Sequence, residues 1–63
     1  MCEANAYMRK VGGEEELLLE MVDRVYHQEE SLVLEDIFGR KKAVKGRIVE
    51  MALVDHRIIL EEN

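Results

Sequence analysis

The sequence predicts an all-β fold, a small barrel of short strands forming one domain over residues 1–63. Three observations point there. Several stretches alternate apolar and polar residues with the period of a half-buried strand. The chain has four Gly and no Pro, so glycines punctuate those stretches. Finally, a 63-residue chain buries only about 60% of its unfolded surface, so it builds one small core, and closing a sheet on itself removes the long exposed edges such a chain cannot cover.

The first element follows from "MCEANAYMRK". Cys2, Ala4, Ala6 and Met8 fall on one side and Glu3, Asn5, Tyr7 and Arg9 on the other, so residues 2–11 read as a strand. Gly12 and Gly13 then supply the positive φ of a tight turn, which makes the opening a hairpin arm. Residues 14–26 admit two readings. Leu17, Leu18, Met21, Val22 and Val25 recur at helical spacing behind an acidic start. Val22, Val25 and Tyr26 favour strands, and two strands joined by a bend at Glu20 fit equally well. Further on the signal is β again: an alternating run over residues 32–38, a turn at Gly39, a basic strand reaching Val44, and a bend or bulge at Gly46. Residues 48–54 and 57–60 flank Asp55 and His56, a short hairpin loop. The count is five or six strands.

Composition limits what the protein does. Residues are 48% hydrophobic and 37% charged, with no Trp and one Phe, so the chain folds around an aliphatic core. A net charge of -5 opposes nucleic-acid binding by phosphate neutralisation. One local exception is "GRKKAVKGR", which gathers Arg40, Lys41, Lys42, Lys45 and Arg47, five of the nine basic residues. A patch of that kind suits phosphate or an acidic partner; as a solvated hairpin it balances Glu14, Glu15 and Glu16. No stretch approaches the ~18 apolar residues of a membrane span, and no signal-peptide pattern opens the chain. A cytoplasmic location is expected, with the single thiol in keeping with a reducing compartment. No enzyme is expected either, because no nucleophile is paired with a recognisable base, and Asp36 and Asp55 adjoin turns, where carboxylates cap or are solvated.

Cys2 is the single cysteine. Alone it closes no disulfide and offers one ligand where metal sites need several; on the apolar side of a first strand such a residue is often a small buried hydrophobe. His27 and His56 lack the spacing of paired ligands and are read as surface or turn residues.

Taken together, "MCEANAY", "LLLEMVDRV", "LEDIFGRKKAVKGRI" and "MALVDHRIIL" resemble the CooT family, small bacterial and archaeal proteins with Cys at position two. The resemblance covers nearly the whole chain. It implies an SH3-like β-barrel of five to seven short antiparallel strands, which turns the ambiguous residues 14–26 toward strands. It also implies a homodimer and the binding of Ni(II) through Cys2, in the context of nickel supply to carbon monoxide dehydrogenase, so the expected partners are a second copy and a nickel enzyme or other nickel-delivery proteins. Members have also carried the label of predicted RNA-binding proteins; the alternative function is therefore a small-barrel RNA-binding or protein-interaction module using the basic stretch of residues 40–47.

Coordination chemistry makes the nickel expectation intelligible. Ni(II) accepts square-planar nitrogen and sulfur ligands. If Met1 is removed, the α-amine and thiolate of Cys2 close a five-membered chelate; if Met1 stays, its amine and the deprotonated Cys2 amide do similar work. Two chain starts related by a twofold axis complete two sulfurs and two nitrogens.

Overall fold

In a computed structural model that describes residues 4–62, the described residues form six strands and no helix: β1 (Ala4–Arg9), β2 (Glu15–Gln28), β3 (Ser31–Asp36), β4 (Lys41–Val44), β5 (Gly46–Ala52) and β6 (Arg57–Glu62). They form one sheet in the order β4-β3-β2-β1-β6-β5. The all-β expectation therefore holds, and residues 14–26 belong to strand. Two features depart from the barrel expected. β1 and β6 pair in parallel, with Asn5 opposite Arg57 and Arg9 opposite Glu61. The sheet is also left open, with β4 and β5 as its two ends.

β2 explains why its sequence carries two periods. Its first half pairs with β1, from Ala6 opposite Leu19 to Arg9 opposite Glu15, and its second half pairs with β3, from Arg24 opposite Glu35 to Gln28 opposite Ser31. Between the halves the register slips on both sides, and Met21 takes a left-handed φ of 54°. An inserted bulge residue shifts the in-out alternation by one, which mimics helical spacing in the sequence, and it sharpens the local twist. Val22, just past the bulge, pairs with both Ala4 of β1 and Asp36 of β3. The sheet bends at this corner.

The glycine turn after β1 forms as expected: Gly12 and Gly13 have φ of 101° and 92°, and the Gly13 amide donates to the Lys10 carbonyl. The strand before it stops at Arg9, short of the expected Val11. β3 likewise ends at Asp36, so Ile37 and Phe38 lie in a turn and are exposed.

One apolar cluster holds the fold. Ala6 and Met8 from β1, Val22 from β2, Leu32 and Leu34 from β3, and Ile58 and Leu60 from β6 are buried together, with Ala4, Leu18, Leu19, Val25 and Val44 packed against them. Burying each large aliphatic side chain stabilises the fold by about 1.5–3 kcal/mol before the entropy of ordering is counted. The molecule measures 32 × 29 × 14 Å, and its thinnest dimension is close to the ~10 Å that two packed sheet layers require. One layer of core side chains is all it holds. On β5 that layer runs out. Ile48 and Met51 sit opposite the buried Leu60 and Ile58, yet Met51 is 53% exposed and Ile48 is exposed as well. The other face carries charge: Arg9 of β1 lies 3.7 Å from Glu15, 3.5 Å from Glu50 and 3.9 Å from Glu61, tying β1 to β2, β5 and β6. Pairs this exposed each contribute at most about 1 kcal/mol.

Candidate metal centre

The expected ligand Cys2 lies outside the described residues, two positions ahead of Ala4, where β1 begins. The surroundings of that strand start are well defined. On the β6 side, the Asn5 amide donates to the carbonyl of His56 at 2.8 Å. On the β2 side, Asn5 Oδ1 accepts the amide of Met21 at 3.2 Å. Asn5 thus clasps the bulge to the β5–β6 loop across the first residues of β1, and the strand enters the sheet at a fixed place. It is central in the sheet, with β2 and β6 on either side.

A hollow of about 240 Å³ opens beside it, lined by Ala4, Met51, Leu53, His56 and Ile58 among others. Its walls are mostly apolar, and Leu53 among them is 73% exposed. The uncovered part of the core on β5 therefore runs directly into the place where the chain start enters. A larger hollow, about 680 Å³, lies at the opposite end between Arg9, Lys10, Val11, Glu61 and Glu62. It is an open, charged dish, remote from the start of β1.

The two histidines are separated. His27 is exposed on β2 opposite Leu32, whereas His56 sits in the β5–β6 loop with a φ of 56°. Among the described residues no three His, Cys, Asp or Glu gather closely enough to hold a metal ion. His56 is nonetheless the imidazole nearest the strand start in the sense that its own carbonyl holds Asn5. Its spacing from His27 gave no sign of this, because the contact is made by backbone.

The basic stretch is partly engaged within the molecule. Arg47 Nη2 lies 3.1 Å from Glu61 Oε1, and Arg40 Nε donates to Asp36 Oδ2 at 2.5 Å. Lys42 Nζ reaches the Leu18 carbonyl at 3.4 Å. Lys41 and Lys45 are exposed, and among the described residues neither joins an ion pair.

Asp36 has more structural weight than its sequence context indicated. It is 2% exposed, and Oδ1 accepts the amides of Phe38 at 2.9 Å and Arg40 at 2.8 Å. The turn is closed further by the Asp36 amide on the Arg40 carbonyl and the Gly39 amide on the Asp36 carbonyl, with Gly39 at a φ of 88°. The capping role expected of Asp36 is present; the solvated one is not. Burial pushes its carboxyl up, but the Arg40 amide, the Arg40 guanidinium and the Phe38 amide outweigh it and hold the pKa below the ordinary 3.8. An Asp three residues before a Gly is the visible sign of such a turn.

These features define a small all-β protein that presents a strand start and two turns at one corner of an open sheet, with an uncovered strip of core beside them. The chain belongs to the CooT family: residues 1–61 match the profile of the CO dehydrogenase accessory protein CooT. A crystal structure of a chain provisionally assigned as CooT, from Carboxydothermus hydrogenoformans, superposes with a TM-score of 0.91 at 50% identity over 98% of both chains. An uncharacterized protein of Archaeoglobus fulgidus is 46% identical over 43 residues, which are 68% of this chain and 96% of that one.

Proposed function

We propose that this protein is a Ni(II)-binding accessory protein for CO dehydrogenase, holding the metal through the Cys2 thiolate and amino-terminal backbone nitrogen in a site shared by two copies of the chain. Membership of a CO dehydrogenase accessory family over residues 1–61, a span that includes Cys2, carries the proposal. The uncovered apolar strip of Ile48, Met51 and Leu53 beside Ala4 supports the second copy: a twofold axis there covers the strip and brings two chain starts together.

Each chain start supplies one sulfur and one nitrogen, and Ni(II) favours a planar set of four such ligands. An α-amine titrates near ~7.7–8.0 in model peptides, so the metal displaces its proton at neutral pH, and a metal-bound thiol is deprotonated outright. Binding therefore weakens in acid. Asn5, clasped between Met21 and His56, fixes where the flanking strand leaves the sheet, so the ligands are displayed from a rigid base.

Titration of nickel into the native protein, Cys2→Ser and a form tagged ahead of Met1 tests the proposal. The native protein is expected to develop sulfur-to-nickel charge-transfer absorption at one metal per dimer. Cys2→Ser loses it, because a hydroxyl stays protonated. The tag removes the free amine and weakens binding or alters the spectrum. Circular dichroism is expected to be unchanged in all three. Native nickel affinity in folded Cys2→Ser would sink the site.

A further inference from the structure

The turn between β3 and β4 is locked by a buried carboxylate. Asp36 is buried to hold it, taking two backbone amides and the Arg40 guanidinium, and removing a carboxylate from water is expensive unless it is so satisfied. What the clamped turn presents is Phe38, the one phenylalanine in the chain, 68% exposed. Ile37 beside it is exposed too, and the Ile37 amide donates to the carbonyl of Met21 at the β2 bulge. The Arg40 guanidinium lies 5.6 Å from the centre of the Phe38 ring. It uses Nε on Asp36, and its two Nη groups have no hydrogen-bond partner among the described residues. Lys41 follows, exposed and outside any ion pair among those residues.

An aromatic on a preorganised turn, edged by an Arg with a free N–H fork and a Lys, has the form of an interface anchor. Aromatic and Arg side chains dominate binding hot spots, and a turn already held in place loses little entropy on docking. The edging charges select the partner. On a chain of net charge -5, a local basic edge attracts carboxylates and disfavours basic surfaces. The position matters as well. Ala4 and Asp36 both pair with Val22, so the turn begins two strand spacings, about 10 Å, from the start of β1.

We infer that Phe38, edged by Arg40 and Lys41, is the docking anchor by which the protein seats on its nickel-accepting enzyme, entering an apolar pocket rimmed by carboxylates. The inference rests on the accessory role proposed above and adds the surface that makes the contact. A protein docked here holds the metal-bearing chain start against its acceptor.

The test is binding of the native protein to the nickel-free CO dehydrogenase of the source organism by biolayer interferometry, across a series of salt concentrations. Phe38→Ala is expected to raise Kd at least tenfold, Lys41→Glu to slow association and flatten the salt dependence, and Val11→Ala, at the far end of the sheet, to change nothing. Phe38→Ala retains its circular dichroism and nickel titration. Binding by Phe38→Ala within twofold of native overturns the inference, as does no binding at tens of micromolar. Two other occupants overturn it too: a Phe38→Ala-sensitive dimer constant places a second copy on the turn, and Phe38-dependent RNA retention places a nucleic acid there. Cys2→Ser separates the two readings, since it removes nickel and leaves docking intact. In the native protein, no docking with nickel binding present sinks the anchor alone, and no nickel binding with docking present sinks the metal site alone.

Discussion

Replacing Leu53 by Ala tests whether a second copy covers the strip beside the chain start. Leu53 is 73% exposed in the single chain, so the substitution leaves the fold nearly untouched. Truncation removes three carbons at about 0.8 kcal/mol each when fully transferred from water. Scaled to the exposed fraction, each subunit loses about 1.7 kcal/mol of association energy, and twofold symmetry counts the loss twice. The total of about 3.5 kcal/mol corresponds to a roughly 300-fold weaker dimer, and half-coverage of the side chain in the dimer gives about 20-fold. Sedimentation velocity over a concentration series, with circular dichroism as the folding control, measures the shift. A dissociation constant within threefold of native, or a native protein that is monomeric at tens of micromolar with and without nickel, refutes the reasoning.

Two further predictions concern the fold that supports the site. Asp36 has a folded pKa below the 3.8 it shows when unfolded, so its contribution is fully present above that value and is lost as pH falls through the lower folded value. Asp36→Asn is therefore expected to destabilise the protein at neutral pH and to flatten the acid limb of its stability curve below about pH 4; an unchanged acid limb in urea melts contradicts this. Gly46→Ala sets a Cβ 2.7 Å from the Glu61 carbonyl oxygen, a backbone atom that must move. It is expected to cost about 1–3 kcal/mol, read as a lower urea midpoint at constant slope, and an unshifted midpoint shows that β6 yields freely.

How much of this was legible in the sequence depends on the range of each interaction. Alternation placed β1 and β3, the loop at Asp55 and His56 marked off β5 and β6, and the glycines at positions 12, 13 and 39 marked turns, because those signals are local. β2 was half legible from its own residues: two strands bent at Glu20 fitted as well as a helix, because the bulge at Met21 inserts one residue into the alternation and manufactures a helical spacing among Leu17, Leu18, Met21 and Val22. The parallel pairing of β1 with β6 joins residues about fifty positions apart, which no local pattern encodes. The expected closure of the barrel failed at β5, whose core-facing Ile48 and Met51 lack cover within the chain. At the site, the family resemblance and not spacing singled out Cys2. Asp36 was seen as a turn carboxylate, but its burial depends on β2 packing across it at Val22. Phe38 was read as the end of a strand and drew no attention as a surface residue.

The placement of β1 between β2 and β6 also orders events in time. The strand next to the thiol obtains one neighbour early, from the following hairpin, and the other from β6, the last strand in the described chain. At ~5–20 residues per second of synthesis, about 3–10 s separate the making of Asn5 from that of its partner Arg57. Until β6 is made, β1 can have only β2 as a sheet neighbour, so the frame around this strand is complete only with the last strand of the described chain.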